Sequence, residues 1–211
     1  EEELLILEVS SFQLMGIEAF KPRIAIWTNI YDAHLDFHGS REAYIEAKAQ
    51  ITSQQTEEDY FIYNADQPEL VEIAKATKAT AIPFTVKGKA TEGISVDEND
   101  IYWQGEKLIA RESIQLPGEH NLENIAAATA AALLVSCDRD SIHHVLSSFT
   151  GVKHRMQFVK EWKGVRFYND SKATNTLATK SALSSFEQPI HLIAGGLDRE
   201  HSFEPLRPHM K

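Results

Sequence analysis

The sequence contains a single cysteine, Cys137, among its 211 residues. One thiol excludes an internal disulfide framework and a zinc site built on cysteine ligands. Basic residues are also scarce, since 21 Lys and Arg stand against 31 Asp and Glu, for a formal net charge of −10. So acidic a chain argues against a non-specific nucleic-acid binder, although a few local cations are enough to bind a small anion.

Long apolar runs are absent as well. No stretch approaches the roughly 18 consecutive apolar residues of a membrane-spanning helix, which predicts a protein without membrane insertion. The first residues, EEELLILEVSS, lack the basic start of a signal peptide, so we expect a cytoplasmic protein. The chain begins with an apolar run and stops at FEPLRPHMK, within a helical pattern. Both ends predict a piece of a longer protein.

A phosphate-binding loop of the form G-x-x-x-x-G-K-[ST] is also missing. The nearest stretch, PFTVKGKAT, has Pro83 in place of the first glycine and Ala90 in place of Ser or Thr. It lies beside a predicted hairpin, where no strand leads directly into a helix. If this protein uses ATP, we expect its phosphate loop to lie outside this chain.

Short apolar runs alternate with helical patterns through most of the chain. Runs such as LLILEV and IAIWTN suit strands buried on both faces of a parallel sheet. Strands are predicted at 4–9, 24–29, 60–65 and 80–84, and helices at 40–55 and 66–78. Residues 86–111 alternate and turn twice, which predicts a small β-meander. The fold class predicted is α/β with a mostly parallel central sheet.

A hinge at TGVKHRMQ, residues 150–157, divides the chain into two predicted domains, 1–151 and 152–211. The second is also of α/β type and reads as incomplete. Its predicted elements are strands at about 156–161 and 165–169, a helix at about 174–185 and a strand at 189–196.

Polar clusters follow several of the predicted strands, where ligands bind in open α/β sheets. Glu8 and His34 end neighbouring strands and could both reach a divalent cation such as Mg²⁺. The alternative is a structurally paired histidine. Asp32, Asp36 and His38 lie close by and could take the same role.

Two other groups of polar residues have an ordinary structural interpretation beside a functional one. Lys48 reads as a solvated lysine in a helix. Asn121 and Asn124 are three residues apart and share one helix face, where their amides could read a heterocycle or cap the helix.

Arg155 at the hinge and Lys172 in YNDSKATN could clamp a phosphate group. An interdomain salt bridge is the alternative for Arg155.

Six stretches together resemble the Mur ligases of bacterial cell-wall synthesis. They are EVSSFQL, NIYDAHLDFHGSREAYIEAK, LPGEHNLENIAAATAAA, GVKHRMQFV, YNDSKATNTLAT and IAGGLDR. The similarity runs through nearly the whole chain, and NDSKATN is its most specific part. That stretch favours the members that add D-glutamate to UDP-N-acetylmuramoyl-L-alanine.

The resemblance implies an enzyme of three domains: the first would bind UDP, the second ATP and the third the incoming amino acid. This chain would hold the later part of the central ATP-binding domain and the first part of a Rossmann-like C-terminal domain. ATP would phosphorylate the L-alanyl carboxylate, and the amine of D-glutamate would attack the acyl phosphate to form an amide. The resemblance also implies Mg²⁺ and a monomer, and this piece alone would be inactive.

Roles at individual positions follow from the resemblance alone. Glu8, His34 and a carbamylated Lys48 would bind Mg²⁺, while Ser10, Gln13 and His34 would hold the muramoyl substrate. Nucleotide contacts would come from Asn121, Asn124, His154, Arg155, Asp170 and Lys172. Thr174 and Arg199 would face D-glutamate. The catalytic set would be His34, Lys48, Arg155 and Lys172.

One departure affects the amino-acid site. Some relatives carry lysine in the glycine-rich turn where this chain has Arg199, although arginine can still pair with a carboxylate. Asp198 could make polar contacts in its place. The alternatives are another Mur or folyl-polyglutamate-type ligase, and a nucleotide-binding module without catalysis.

Overall fold

The computed structural model describes residues 3–31, 34–116, 118–196 and 202–210. The chain divides into two compact units. The first comprises Glu1–Glu112 and Leu122–Ile142, and the second comprises Ser113–Asn121 and His143–Lys211. Within the described ranges, no helix has the length and apolar content needed to cross a bilayer.

The first unit is built on a six-stranded sheet whose strands follow one another in chain order. The strands are β1 (Ile24–Trp27), β2 (Tyr60–Asn64), β3 (Thr80–Thr85), β4 (Ile94–Val96), β5 (Asp100–Trp103) and β6 (Glu106–Ala110). The pairs from β1 to β4 are parallel, whereas β4, β5 and β6 form an antiparallel meander. The predicted fold class, a mostly parallel sheet with a small meander, is confirmed.

Burial explains why the parallel strands read as apolar runs. Phe61 and Ile62 of β2 and Phe84 of β3 are fully buried. Two helices, α3 (Arg41–Ala49) and α4 (Pro68–Ala76), occur on the connections between these strands. Ser40 caps α3 by accepting a hydrogen bond from the Ala43 N–H at 3.1 Å, as its sequence predicts.

The parallel pair of β3 and β4 is joined by a short connection that ends at Gly93. Gly93 has φ +57°, and a Cβ at this position would lie 1.8 Å from the Pro83 carbonyl oxygen. No side chain fits so close to the main chain of β3. Glycine is therefore required for β4 to begin where it does.

The described residues before the second unit's hairpin contain four further helices. They are α1 (Ser11–Leu14), α2 (Leu35–His38), α5 (Glu119–Leu134) and α6 (Arg139–Ser148). Ala126, Ala127 and Ala130 of α5 are buried, in agreement with the buried helix that its alanine-rich composition indicates.

The second unit contains a two-stranded antiparallel hairpin of β7 (Gln157–Trp162) and β8 (Val165–Asn169). It is followed by α7 (Thr176–Ser184), which Asn175 caps by accepting a hydrogen bond from the Ala178 N–H at 2.8 Å. A 3₁₀ segment, Glu204–His209, lies near the end of the described residues.

Two predicted strands are wrong. Residues 4–9 and 189–196 have no strand structure, and Ile6 and Ile193 are 93% and 96% exposed. An apolar run becomes a strand only where another strand offers hydrogen bonds and a buried face. No strand among the described residues pairs with either segment, so their composition alone misled the prediction.

Candidate functional site

In the first unit, α1 begins with a capping box made by two predicted substrate-binding residues. The Ser10 hydroxyl accepts from the Gln13 N–H, and Gln13 Oε1 accepts from the Ser10 N–H at 2.8 Å. The two side chains therefore start α1 and also remain exposed. Sequence reasoning missed this structural use, although an S-x-x-Q pattern is its signal.

His34 precedes α2 in a left-handed conformation with φ +55°. Its exposed ring meets Phe12 of α1 edge-on, with ring centroids 5.0 Å apart. His38, one turn later, is instead hydrogen-bonded through Nε2 to the buried Ser11 hydroxyl at 3.0 Å. Of the two histidines, His34 is thus the one whose ring nitrogens have no hydrogen-bond partner among the described residues. Asp32 lies outside the described residues.

Lys48 is only half-exposed, which corrects its interpretation as an ordinary solvated lysine. Its Nζ lies 5.4 Å from the centre of the Trp27 ring and 5.9 Å from that of Tyr44. The Trp27 indole N–H donates to the Asn29 carbonyl at 2.9 Å, which fixes the ring beside the amine. Burial lowers the pKa of Lys48 and so raises the fraction of neutral, nucleophilic amine.

A residue can bind a metal ion only if its donor atoms are not already engaged by other protein groups. Neither the Glu8 carboxylate nor the His34 imidazole makes a hydrogen bond or ion pair among the described residues. The same part of the chain holds no group of three or more His, Cys, Asp or Glu side chains suited to a metal ion. A metal here would therefore need a further ligand, which a carbamate on Lys48 could supply.

Asn64, at the carboxyl end of β2, is a polar residue that sequence reasoning missed. Its fully buried amide donates to the Thr28 carbonyl at 3.0 Å and accepts from the Asp66 N–H at 2.9 Å. Burial raises the pKa of Glu123 on α5, and the Asn64 side chain acts against that rise. Its position as the last residue of β2 is the signal available in the sequence.

Asn121 and Asn124 both lie inside α5, which begins at Glu119. Neither is therefore the N-cap residue of this helix. Asn121 is 7% exposed, whereas Asn124 is exposed.

In the second unit, the loops TGVKHRMQ and YNDSKATN are hydrogen-bonded to each other. The Lys172 N–H donates to the His154 carbonyl at 3.0 Å, and the Met156 N–H donates to Asp170 Oδ1 at 3.0 Å. The structure thus brings together four predicted nucleotide-binding residues, His154, Arg155, Asp170 and Lys172.

The two cations predicted for this site are open to a ligand. The side chains of Arg155 and Lys172 are exposed and form no hydrogen bond or ion pair within the described part of their own unit. Thr174 is exposed as well. Arg199 and Asp198 lie outside the described residues. An anion such as a phosphate is the ligand class that two open cations on one pair of loops suit best.

Comparison with known proteins gives a consistent result. A family model described as the Mur ligase middle domain matches residues 1–132. UDP-N-acetylmuramoylalanine–D-glutamate ligases are 51% identical in Shouchella clausii, 52% in Latilactobacillus sakei and 50% in Listeria monocytogenes serotype 4b, each over 210 residues. These alignments cover 100% of this chain and 46–47% of each relative, so the chain spans about half of their length.

Solved structures support the fold. MurF from Acinetobacter baumannii matches with a TM-score of 0.65 and 24% identity, over 78% of this chain and 37% of that one. UDP-N-acetylmuramate–alanine ligase MurC from Thermotoga maritima matches with a TM-score of 0.62 and 20% identity, over 83% of this chain and 40% of that one. At these identities the likeness concerns the fold alone.

Proposed function

The chain belongs to the Mur ligase family, and on that premise we propose that it is part of an ATP-dependent ligase that joins D-glutamate to UDP-N-acetylmuramoyl-L-alanine. The observation that carries this proposal is about 50% identity, along the whole chain, to ligases named for that reaction. The product would enter peptidoglycan, and the complete protein would be a cytoplasmic monomer.

The proposed reaction forms one amide at the expense of one ATP. The L-alanyl carboxylate attacks the γ-phosphorus, which gives an acyl phosphate and ADP. The neutral amine of D-glutamate then attacks the acyl carbon, and the tetrahedral intermediate expels inorganic phosphate and loses a proton. Phosphorylation is needed because a carboxylate oxygen is otherwise a poor leaving group. The site must bring several anions together, which requires cations.

In the first unit, we assign the metal site to Glu8, His34 and Lys48. The neutral Lys48 amine would attack CO₂ and release a proton, which converts the side chain into a carbamate. The donor set then fits Mg²⁺, because the Glu8 and His34 donors are open and the carbamate adds oxygen ligands. Mg²⁺, when bound, supplies positive charge against the phosphate oxygens. Ser10, Gln13 and His34 would hold the muramoyl substrate.

In the second unit, the two loops would bind the nucleotide. Arg155 and Lys172 would neutralise the transferring phosphate, with His154 and Asp170 as further nucleotide contacts. Asn121 and Asn124 would contact the adenine. D-glutamate would be held by Thr174 and Arg199. The predicted division at residues 151 and 152 would serve as the hinge for domain closure over these ligands.

The test uses the complete gene product rather than this chain, which we expect to be inactive alone. Phosphate release is followed with ATP, Mg²⁺ and UDP-N-acetylmuramoyl-L-alanine, in the presence of D-glutamate, L-glutamate, L-lysine or diaminopimelate. The proposal requires release with D-glutamate only, together with a new amide product. Release with another acceptor would indicate a sister ligase. ATP binding without release would indicate a nucleotide-binding module.

A further inference from the structure

The backbone of TGVKHRMQ holds two non-glycine residues in the left-handed region, His154 with φ +67° and Met156 with φ +45°. The segment 152–157, which we call the His154 turn, follows Gly151 with φ +110°. A left-handed conformation is unfavourable for a residue with a Cβ, and it persists only where neighbouring groups hold it.

Hydrogen bonds satisfy three successive N–H groups of the His154 turn. The His154 N–H donates to Gln157 Oε1 at 2.9 Å, and the Arg155 N–H donates to the Val152 carbonyl at 3.1 Å. The Met156 N–H donates to Asp170 Oδ1 at 3.0 Å. Gln157 is therefore the side chain that holds the first left-handed residue in place.

Asn169 holds the ring of the same histidine. Its Oδ1 accepts from the Ser171 N–H at 3.0 Å, which fixes the orientation of the amide. Its Nδ2 must then be the donor in the 3.0 Å contact with His154 Nδ1. Because Nδ1 accepts, the neutral ring carries its proton on Nε2. An Nε2–H group on the exposed imidazole is a donor for a phosphate oxygen.

We propose that Gln157 and Asn169 are positioning residues, which hold the His154 turn so that the His154 Nε2–H and the Arg155 guanidinium meet the nucleotide phosphates. This proposal rests on the proposed function. Gln157 acts on the backbone of the turn, and Asn169 acts on the histidine tautomer. Neither residue needs to touch the ligand, because each acts through the His154 turn.

The first test is NMR spectroscopy on this chain at pH 8 and needs no activity. We expect Gln157→Ala to speed amide exchange of His154 by about tenfold, the size of one lost hydrogen bond, whereas Gln157→Glu keeps the acceptor and stays near wild type. Asn169→Asp places an acceptor against Nδ1, so ¹⁵N shifts of His154 should move from the Nε2–H to the Nδ1–H tautomer. Gln188→Ala, an exposed glutamine of the same unit, should change neither signal. An unchanged exchange rate or tautomer would overturn the proposal.

The second test is kinetic and uses the complete ligase. Gln157→Ala and Asn169→Asp should each lower kcat/KM for ATP by about tenfold, the effect expected from one misplaced hydrogen bond. The KM for D-glutamate should stay within about twofold, and Gln157→Glu should restore kcat/KM to near wild type. Asn169→Asp is nearly isosteric, so it carries the test if Gln157→Ala unfolds.

The outcomes of these tests separate the two proposals. A wild-type ligase with no D-glutamate-dependent phosphate release would contradict the proposed function and leave the NMR result valid. NMR changes without a loss of kcat/KM in an active ligase would contradict the positioning roles alone.

Discussion

The sheet of the first unit contains fully buried side chains such as Phe61 and Phe84, whereas the hairpin of the second unit leaves Phe158 53% exposed. Of the predicted site residues of the first unit, Ser10 and Gln13 lie at α1, His34 precedes α2 and Lys48 lies in α3, whereas Glu8 lies in a segment without strand structure. Those of the second unit lie on two loops that hydrogen bonds join to each other. Burial thus holds the sheet of the first unit, whereas polar contacts hold the loops of the second, so the two regions should respond differently to substitution.

The largest effect on stability is expected from removal of a buried ring. Phe61→Ala should lower the free energy of unfolding by about 3–5 kcal/mol, because it leaves a cavity in the sheet. The same change at Phe158, which is half-exposed, should lower it by about 1 kcal/mol. Urea unfolding of this chain measures both. Equal losses would contradict the difference between the units.

The largest effect on activity is expected at an exposed cation of the second unit. Lys172→Ala should lower kcat of the complete ligase by about 10²- to 10³-fold, as loss of one group that stabilises developing charge does. Lys180→Ala, at an exposed lysine of α7, is the matched control and should change kcat by less than about twofold. A Lys172→Ala enzyme with normal phosphate release would refute the assigned role.

Lys48, the predicted catalytic lysine of the first unit, should not tolerate a substitution that keeps its positive charge. Lys48→Arg keeps a positive charge but cannot form a carbamate, so kcat should fall by about 10²-fold. The ¹³C NMR signal of a carbamate, labelled with ¹³CO₂, should disappear in the same variant. Lys75→Arg alters an exposed lysine that pairs with Glu72, and it should preserve both signal and activity. A carbamate signal that persists in Lys48→Arg would place the modification elsewhere.

A buried carboxylate gives the first unit a defined acid sensitivity. Burial alone would raise the pKa of Asp59, but hydrogen bonds from the Thr56 N–H and from Lys21 outweigh it and lower the pKa to about 2. Since the pKa is lower in the folded chain than in the unfolded chain, ionised Asp59 stabilises the fold above about pH 4. That contribution is lost as the pH falls towards 2. Urea midpoints should therefore drop less steeply over this range in Asp59→Asn than in wild type.

The smallest effect on stability is expected from the loss of a helix cap, which we compare in one helix of each unit. Ser40→Ala and Asn175→Ala each remove an acceptor for a first-turn N–H, so each should cost about 1 kcal/mol of helix stability. In α3, which buries Tyr44 and Ala47, the loss should lower the global unfolding free energy. In α7 we expect it to appear as faster amide exchange in the first turn. A global loss from both caps would show that the two units unfold together.

Much of the fold could be predicted because local patterns agreed with their surroundings. β1 to β3 are apolar runs inside a sheet, and the meander follows its turn residues. The run at 4–9 is as apolar as β1, yet it forms no strand because no strand among the described residues pairs with it. Sequence alone records the apolar run and not the partner that would make it a strand.

Arg155 and Lys172 could be proposed from the sequence because they are charged and follow strand or hinge positions, whereas the role proposed for Lys48 came from the family resemblance alone. Asn64, Gln157 and Asn169 were missed because their amides act on main-chain atoms or on another side chain. Such contacts join residues distant in sequence or depend on unusual backbone angles, and neither leaves a spacing pattern. The open nitrogen of His34 and the engaged one of His38 could also be told apart only once α1 was in place.

The approach of Gly93 to the Pro83 carbonyl has a consequence for mutational scanning. Every other amino acid places a Cβ 1.8 Å from that oxygen, so a saturation library should return glycine alone at this position. A map of mutational tolerance would then rank Gly93 beside residues such as Lys172, although Gly93 has no side chain that could take part in catalysis. Intolerance at Gly93 reports the close passage of two strands, and only an activity measured per folded molecule distinguishes such a position from a catalytic one.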